Sequence, residues 1–397
     1  MVKRALVGLV LWGAAGAVWL GGPGFAVSPR SEVAPASKPL VPVAAQPILG
    51  SPVSSWEAAD LVRDRQSLLV AVDHSLRYLQ TTKAAQDYRQ YATTLGITRD
   101  RVRRSLVRFR QLLVRVKSAE ALNAALAKEF VLYRAAGKDG QGTVGFTGYF
   151  EPVHVASRVP TTEFQYPIFR LPPNFTGWPQ PHPTRSQLEG LDGLQFNQSA
   201  LKGSALAWVR DRLEAYLIQV QGSARLQLVN GGTMTVGYAG ATDYPYTSIG
   251  RELVNDGKIK LEDLTLPALM TYFQQHPDDL SVYLPRNQRF VFFKETRGSA
   301  ATGSIGVPVT PTRSIATDKT LFPAGALALL QTQLPYASAN GAFTQQAVRH
   351  LALDQDTGSA IKGPGRVDIF MGTGKTAGDR AGLINTTGQL YYLLLKP

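Results

Sequence analysis

The chain of 397 residues contains no cysteine. This absence excludes disulfide bonds, thiolate metal sites, a cysteine nucleophile and a lipid anchor attached to cysteine. It does not identify a cellular compartment, because exported and cytosolic proteins can both lack cysteine. Apolar runs long enough to cross a bilayer are also missing after about residue 20, so no membrane span is predicted in the body of the chain.

Histidine is scarce, and its spacing does not suggest a metal site. The five histidines are far apart in the sequence: His74, His154, His182, His276 and His350. None has a second ligand residue at metal-binding spacing on a convincing helix, so we predict no metal and no cofactor. No Gly-x-Ser-x-Gly segment is present, which leaves a serine nucleophile of that type without support. Residues 372–376 resemble a phosphate-binding loop but lack its upstream glycine.

Positive charge exceeds negative charge, with 42 Lys and Arg residues against 29 Asp and Glu residues. The net charge of +13 favours an anionic partner, which could be nucleic acid, a lipid surface or a cell-wall polymer. Seven arginines share one predicted helix: Arg99, Arg101, Arg103, Arg104, Arg108, Arg110 and Arg115. This helix is interpreted either as a solvated face or as a contact surface for an anionic wall polymer, with nucleic acid as a third alternative.

The first 26 residues have the composition of an export signal. Lys3 and Arg4 precede an apolar stretch that runs to about residue 20, and Gly24 and Ala26 have the spacing that signal peptidase prefers. The segment could also stay uncleaved as a membrane tether, because its length is near the lower limit for a span. Residues 27–55 are rich in Pro, Ala and Ser and are predicted to be an extended linker. We expect an exported protein of the periplasm or cell envelope.

The rest of the chain divides into a helical part and a β-rich part. From residue 56 to 137, apolar residues recur every three or four positions, which predicts helices with a break at 96–98. From residue 143 onward, short apolar or alternating runs predict strands, with a hairpin turn at 230–232 and a long surface loop at 169–205. Strands are expected at 144–150, 215–220, 225–229, 233–236, 307–311, 349–353, 366–370 and 389–395, and helices around 248–255 and 261–275. The predicted fold class is therefore mainly β with N-terminal helices.

Carboxylates are the remaining candidates for catalysis. Cleavage of a glycosidic bond needs a proton on the leaving oxygen, and a carboxylic acid in a low-dielectric cleft can supply it. The C-terminal third contains Asp318, Asp356 and Asp368, of which Asp368 stands between two apolar residues in a predicted strand. Such surroundings can raise the pKa of a carboxyl group, as a general acid requires. Taken alone, however, an aspartate in a strand is more often an exposed or salt-bridged residue.

Several longer segments resemble one protein family. They are Phe146–Pro152, Glu163–Arg170, Gln219–Arg225, Gly237–Gly240, Pro245–Leu253, Asn287–Phe293, Gly303–Asp318 and Asp356–Gly374. These segments resemble, in the same order, the hallmark strings of the membrane-bound lytic transglycosylase A family. The last two resemble its three-aspartate domain. The resemblance extends from about residue 143 to the C-terminus.

The resemblance implies a mechanism and a fold. Asp368 corresponds to the catalytic acid, and Asp356 and Asp318 would support the site through hydrogen bonds and charge. The enzyme would cleave the bond between N-acetylmuramic acid and N-acetylglucosamine and close a 1,6-anhydro ring. The implied fold is a double-psi β-barrel built from residues 56–164 and 301–397. A second β-barrel from 165–300 would be inserted into it, with a glycan groove between the two.

Further residues are expected to line this groove. They are Thr147, Tyr149, Glu151, Gln219, Gln221, Tyr246 and Ser248. The alternatives are turn and core packing for the first three, exposed polar positions for the two glutamines and core packing for Tyr246. Gln219 and Gln221 are expected on one face of a strand. The implied partners are peptidoglycan glycan strands, with ionic contact to wall polymers, no nucleic acid and no metal, and we expect a monomer. The missing cysteine departs from the lipoprotein pattern of many relatives, so attachment to the outer membrane is not implied.

Two other functions stay open for the same segments. A glycan-binding protein would keep the groove without catalysis, and a hydrolytic muramidase would deliver water to the bond instead of closing a ring. The two enzymes differ in product, because only the transglycosylase releases the anhydro form.

Overall fold

The computed structural model describes residues 38–338 and 341–397. The predicted export signal and the first part of the predicted linker lie outside the described residues. Within the described residues, no helix combines the length and apolar character needed to cross a membrane.

The described chain is mainly β-structure preceded by helices. The strands are β1 (Leu40–Val43), β2 (Phe130–Ala135), β3 (Val144–Glu151), β4 (Val153–Ala156), β5 (Tyr166–Phe169), β6 (Ala205–Val209), β7 (Ser223–Leu228), β8 (Thr233–Ala241), β9 (Val291–Glu295), β10 (Ser314–Ala316), β11 (Leu327–Ala337), β12 (Phe343–Asp356), β13 (Arg366–Thr373) and β14 (Asn385–Leu395). The helices are α1 (Gln46–Leu49), α2 (Ser55–Tyr78), α3 (Thr82–Leu95), α4 (Arg99–Arg115), α5 (Ala119–Glu129), α6 (Arg185–Glu189), α7 (Arg212–Gln221), α8 (Ile249–Asn255), α9 (Leu266–Gln275), α10 (Leu280–Tyr283) and α11 (Lys375–Ala381). This confirms the predicted fold class.

The predicted helix break at 96–98 is present, between α3 and α4. Gly96 ends α3 in the left-handed conformation, and the side chain of Thr98 caps α4 by accepting a hydrogen bond from the N–H of Arg101. The apolar stripe of α4 is fully buried, as its spacing requires. Two expectations need correction. Residues 130–135 form a strand, and part of the predicted linker packs, since β1 pairs with β2.

Six strands close into a barrel. In the order β14, β11, β12, β10, β13 and β3, each strand is hydrogen-bonded to the next, and β14 also pairs with β3. The pairs β10–β12 and β13–β3 are parallel, whereas the other pairs in the ring are antiparallel. Helices α2 and α4 lie on the barrel and share its hydrophobic core. The double-psi connection implied by the resemblance stays a prediction.

A second β-unit is inserted between β3 and β10. Strands β4, β7, β8 and β9 form one sheet, and β5 and β6 form another. Single bridges between Ser157 and Trp208 and between Arg170 and Phe293 join the edges of these sheets. The two sheets of this unit therefore do not form one continuous ladder.

Two expectations for the inserted unit are wrong. Residues 215–220 lie in helix α7 and not in a strand, because Asp211 caps its N-terminus and Gly222 ends it in the left-handed conformation. Residues 169–205 are not a simple surface loop, since Trp178, Leu188 and Leu201 are buried in a core of their own. The hairpin at 230–232 is confirmed between β7 and β8. Outside this unit, the strand predicted at 307–311 is wrong, because Pro308 forms an isolated bridge with Thr302 and no ladder.

Candidate active site

The centre of the candidate site is Asp368 on β13. This strand lies between β10 and β3, with Asp368 opposite Ala316 on one side and Thr147 on the other. The Thr147 hydroxyl donates a hydrogen bond of 2.9 Å to Oδ1 of Asp368. The aspartate is only 2% exposed and lies in the barrel wall. Its carboxyl group is therefore held by a neutral donor in an environment that contains little water.

The surroundings of Asp368 favour its protonated form. Burial raises the pKa of Asp368 to about 6, and the neighbouring charge of Asp356 acts in the same direction. The positive charge of Arg366, the hydroxyl of Thr147 and the N–H of Ile369 oppose this increase in the pKa. A carboxyl group with a pKa near 6 can donate a proton and can also accept one at moderate pH.

Asp356 stands at the end of β12, where several donors converge on its carboxylate. The hydroxyl of Tyr149 donates to Oδ2 at 2.7 Å, and the backbone N–H groups of Ser304 and Thr357 donate to Oδ1 at 2.8 Å each. Burial raises the pKa of Asp356 above its ordinary value, and these hydrogen bonds and the charge of Lys319 offset part of that increase. The ring of Tyr149 also lies against Phe370, with 5.2 Å between the ring centroids. Tyr149 thus connects β3, β12 and β13.

Asp318 has a supporting position between two loops. Its Oδ1 accepts hydrogen bonds from the N–H and the hydroxyl of Thr320, and its Oδ2 accepts one from the N–H of Gly363. Burial alone would raise the pKa of Asp318, but these hydrogen bonds outweigh it and lower the pKa. Asp318 therefore ties the segment after β10 to the glycine-rich loop before β13.

Glu151 joins the barrel to the inserted unit. Its side chain is 1% exposed, accepts a hydrogen bond of 2.8 Å from the Thr373 hydroxyl and lies 3.5 Å from the guanidinium of Arg225 on β7. A buried carboxylate that bridges two units at this position fixes their relative placement. The structure thus places Glu151 at the junction of the two units and not among the groups that contact Asp368.

Gln221, Tyr246 and Ser248 line a different space. They border an apolar cavity of about 100 Å³ between the inserted unit and the barrel. Its other lining residues include Gly148 and Phe150, which alternate along β3 with the residues that contact the two aspartates. The cavity therefore lies on the opposite face of β3 from Asp368.

The expectation for Gln219 needs correction. Gln219 lies on helix α7, where residues two positions apart do not share a face, so it does not stand beside Gln221 as a strand would place it. It is 5% exposed, and its amide oxygen accepts hydrogen bonds from Arg185 and from the N–H of Val291. These contacts hold the interior of the inserted unit together.

Three charged residues of the site were missed by sequence reasoning. Arg366 shares a strand face with Asp368, two positions away, and alternation along a strand was a usable signal for it. Lys319 and Asp354 form an ion pair next to the backbone of Asp356, and no local pattern joins them because they are 35 positions apart.

Among residues 38–338 and 341–397, no group of three His, Cys, Asp or Glu side chains is arranged to hold a metal ion.

Much of the basic helix is neutralised within the fold. Arg104 pairs with Asp100, Arg108 pairs with Glu129, and Arg110 pairs with Asp73. Each of these ion pairs reduces the charge that the helix presents to a polymer. The interpretation of α4 as a solvated face gains support, and a contact surface for anionic polymers stays a hypothesis.

Comparisons with known proteins show which family the chain resembles. Residues 145–294 match the MltA specific insert domain, and residues 313–394 match the 3D domain. The chain is 33% identical over 263 residues to membrane-bound lytic murein transglycosylase A of Escherichia coli K12, which is 66% of this chain and 68% of that protein. It is 31% identical over 265 residues to the Vibrio cholerae protein of the same name, again 66% and 68% of the two chains.

Solved structures of proteins with the same family name are also similar to this chain. The crystal structure of E. coli MltA with bound chitohexaose superimposes with a TM-score of 0.67 at 25% identity, covering 91% of this chain and 96% of that one. A membrane-bound lytic murein transglycosylase from Agrobacterium tumefaciens superimposes with a TM-score of 0.66 at 25% identity, covering 86% and 96%.

Proposed function

Because this chain belongs to the membrane-bound lytic murein transglycosylase A family, we propose that Asp368 is the general acid and base of a lytic cleavage of peptidoglycan. The substrate is the glycan strand, and the bond is the β-1,4 linkage between N-acetylmuramic acid and N-acetylglucosamine. The observation that carries the residue assignment is the burial of Asp368 in the barrel wall with a pKa of about 6.

In the first step Asp368 donates its proton to the glycosidic oxygen. The bond from C1 of the muramoyl residue to that oxygen breaks, and N-acetylglucosamine leaves with a free hydroxyl. A group with a pKa of about 6 is protonated in roughly a tenth of the molecules at neutral pH, which is enough to sustain turnover. An exposed aspartate would hold a proton far less often.

In the second step the same residue accepts a proton. The Asp368 carboxylate takes the proton of the muramoyl C6 hydroxyl while that oxygen forms a bond to C1, so the 1,6-anhydro ring closes. Asp368 is then protonated again, and water is not consumed. This sequence requires only one catalytic carboxylate, which agrees with the supporting positions of Asp356 and Asp318.

The neighbouring residues support this role through position and charge. Tyr149 and the two backbone N–H groups hold Asp356 beside the site, where its negative charge helps to keep the proton on Asp368. Thr147 fixes the orientation of the Asp368 carboxyl group. We further propose that Gln221, Tyr246 and Ser248 contact a part of the glycan strand away from the cleaved bond, since their cavity lies on the other face of β3.

The wider assignments are proposals as well. The predicted boundaries are 56–164 and 301–397 for the barrel domain and 165–300 for the inserted domain. We extend them so that β4 (Val153–Ala156) belongs to the inserted domain and β1 (Leu40–Val43) to the barrel domain, because each pairs with strands of that unit. The N-terminal segment is assigned to export into the periplasm or cell envelope, and the enzyme is assigned as a monomer without a metal or a cofactor. The chitohexaose bound by the E. coli relative supports recognition of a β-1,4-linked N-acetylated glycan.

The test is mass spectrometry of the muropeptides that the purified protein releases from sacculi. The wild-type protein should release anhydro-muropeptides, and Asp368→Asn should reduce the release by about 10³-fold or more, because the proton donor is lost. Asp379→Asn is the matched control, since Asp379 is an exposed carboxylate on α11 and should keep full activity.

Two other outcomes would change the assignment. Products with a reducing muramic acid would show a hydrolase. No release by the wild-type protein, with binding to sacculi intact, would show a glycan-binding protein.

A further inference from the structure

One buried charge pair near the site has no role in the steps described above. Asp354 is fully buried on β12, two residues before Asp356. Its Oδ2 accepts hydrogen bonds of 2.8 Å from the Thr317 hydroxyl and 2.7 Å from the Tyr392 hydroxyl, and its Oδ1 pairs with the ammonium of Lys319. Burying a carboxylate together with its cation costs desolvation free energy, so we expect this pair to contribute to structure or function in a way that offsets the cost.

The ammonium of Lys319 also reaches the active site. Its three donors meet Asp354, the hydroxyl of Thr317 at 3.0 Å and the backbone carbonyl oxygen of Asp356. That same carbonyl accepts a hydrogen bond of 3.1 Å from the N–H of Thr317. The Lys319–Asp354 pair therefore holds the backbone of Asp356, while Tyr149 and two backbone N–H groups hold its carboxylate.

We propose that Lys319 and Asp354 form a positioning pair that holds Asp356 as a carboxylate beside Asp368. The inference rests on the proposed function, because it concerns the surroundings of the proposed acid. Lys319 supplies both the contact that places the Asp356 backbone and a positive charge that favours the ionised form of its side chain. Asp354 holds the ammonium in place. Neither residue touches the substrate in this assignment.

The direction of the electrostatic effect follows from the groups around Asp368. These are Arg366 on its own strand, Thr147 and Tyr149 on β3, and Asp356 on β12, whereas β10 is uncharged. The charge of Asp356 raises the pKa of Asp368. If Asp356 moves away or gains a proton, the pKa of Asp368 falls. Because Asp368 acts as an acid only while protonated, the alkaline limb of the rate profile then moves to lower pH.

The test compares the pH dependence of kcat for the wild-type full chain and the double variant Lys319→Met with Asp354→Asn, using sonicated peptidoglycan as the substrate. The double variant removes both charges together, so no unpaired charge stays buried. We expect kcat to fall about tenfold with KM within about twofold, and the alkaline limb to move down by about half a pH unit or more.

The matched control is Arg349→Met with Glu57→Gln. This ion pair is largely shielded from solvent, with both side chains 9% exposed, and Arg349 lies five residues before Asp354 on the same strand. It should lower the melting temperature without moving the alkaline limb. A purely structural role for Lys319 and Asp354 predicts the same behaviour for both double variants, and that result would overturn the proposal.

A milder variant keeps the test decisive if the double variant does not fold. Thr317→Val removes the hydroxyl that lies between Lys319 and Asp354 and leaves both charges in place. It should move the alkaline limb in the same direction by about a quarter of a pH unit. An unmoved limb in a folded Thr317→Val protein contradicts the proposal. Failure of the wild-type protein to release anhydro products would instead refute the proposed function.

Discussion

Two buried carboxylates of this molecule have opposite kinds of neighbours. Asp368 in the barrel is 2% exposed and accepts its side-chain hydrogen bond from the neutral hydroxyl of Thr147. Glu189 in the inserted unit is 7% exposed and lies between the guanidinium groups of Arg185 and Arg212, at 3.4 and 3.2 Å. The comparison separates two uses of a buried acid. Asp368 accepts its side-chain hydrogen bond from a neutral hydroxyl and can exchange a proton, whereas Glu189 is neutralised by two guanidinium groups and joins elements of the inserted unit.

The contacts of Arg185 show what the second arrangement achieves. This guanidinium also donates to the backbone oxygens of Asn287 and Arg289 and to Gln219, and it stacks over the ring of Phe290 at 4.8 Å. Glu189 thus compensates a cation that fastens α6 to α7 and to the segment before β9. The inserted unit, whose two sheets do not form one continuous ladder, is held together in part by these polar contacts.

The largest expected effect on stability comes from breaking this arrangement. Glu189→Gln leaves two buried guanidinium groups without their shared anion, so the free energy of unfolding should fall by about 3 kcal/mol or more. Chemical denaturation at neutral pH measures the change. Glu163→Gln is the control, because Glu163 is 60% exposed in its pair with Arg210 and should change stability by less than about 1 kcal/mol. Equal effects in the two variants would contradict the comparison.

Neutralising Asp368 should raise the free energy of unfolding, whereas neutralising Glu189 should lower it. Its pKa is about 6 in the folded protein and roughly 3.9 in an unfolded chain. The folded state therefore disfavours the ionised form, and its stability decreases as the pH rises from about 4 to 6 and stays reduced above that range. Asp368→Asn should remove this cost and stabilise the protein by about 2–3 kcal/mol at pH 8, with little gain at pH 4.

Thermal unfolding of Asp368→Asn at both pH values tests this expectation. The inactive variant should melt at a higher temperature than the wild-type protein at pH 8. A loss of stability at pH 8 would show that Asp368 is a structural residue like Glu189.

More of the structure around Asp368 than of the inserted unit could be predicted from the sequence. Thr147 and Tyr149 alternate along one apolar run and Asp368 stands in another, so periodicity predicts that each lies in a strand and that Thr147 and Tyr149 share a strand face. Asp356 precedes a glycine-rich turn, and that position predicts a strand end. The pairing of β3 with β13 joins residues more than 200 positions apart, and no local pattern contains it.

The failures have specific physical causes. The run from 215 to 220 is too short for periodicity to distinguish a helix from a strand, although Asp211 and Gly222 were usable cap signals. The strand position predicted for Gln219 was wrong for the same reason. Lys319 and Asp354 were overlooked because a buried ion pair depends on tertiary neighbours, which here come from β10, β12 and β14.

The smallest expected effect concerns the neutral donor itself. The Thr147 hydroxyl stabilises the ionised form of Asp368 by hydrogen bonding, so its removal should raise the pKa of Asp368 further. Because the acid must be protonated to act, Thr147→Val should move the alkaline limb of the kcat profile to higher pH, by about half a pH unit. Thr147→Ser keeps a hydroxyl and should leave the limb unchanged.

The direction of this shift distinguishes a direct neighbour from an indirect one. Loss of Thr147 removes a group that favours the Asp368 carboxylate, whereas loss of the Lys319–Asp354 pair weakens a negative charge that favours the protonated acid. The two variants should therefore move the same limb in opposite directions from the wild-type position. Shifts of equal sign would mean that both variants only loosen the barrel wall around Asp368. The contrast between Asp368, which is bonded by a neutral hydroxyl, and Glu189, which is paired with two arginines, would then lose its support.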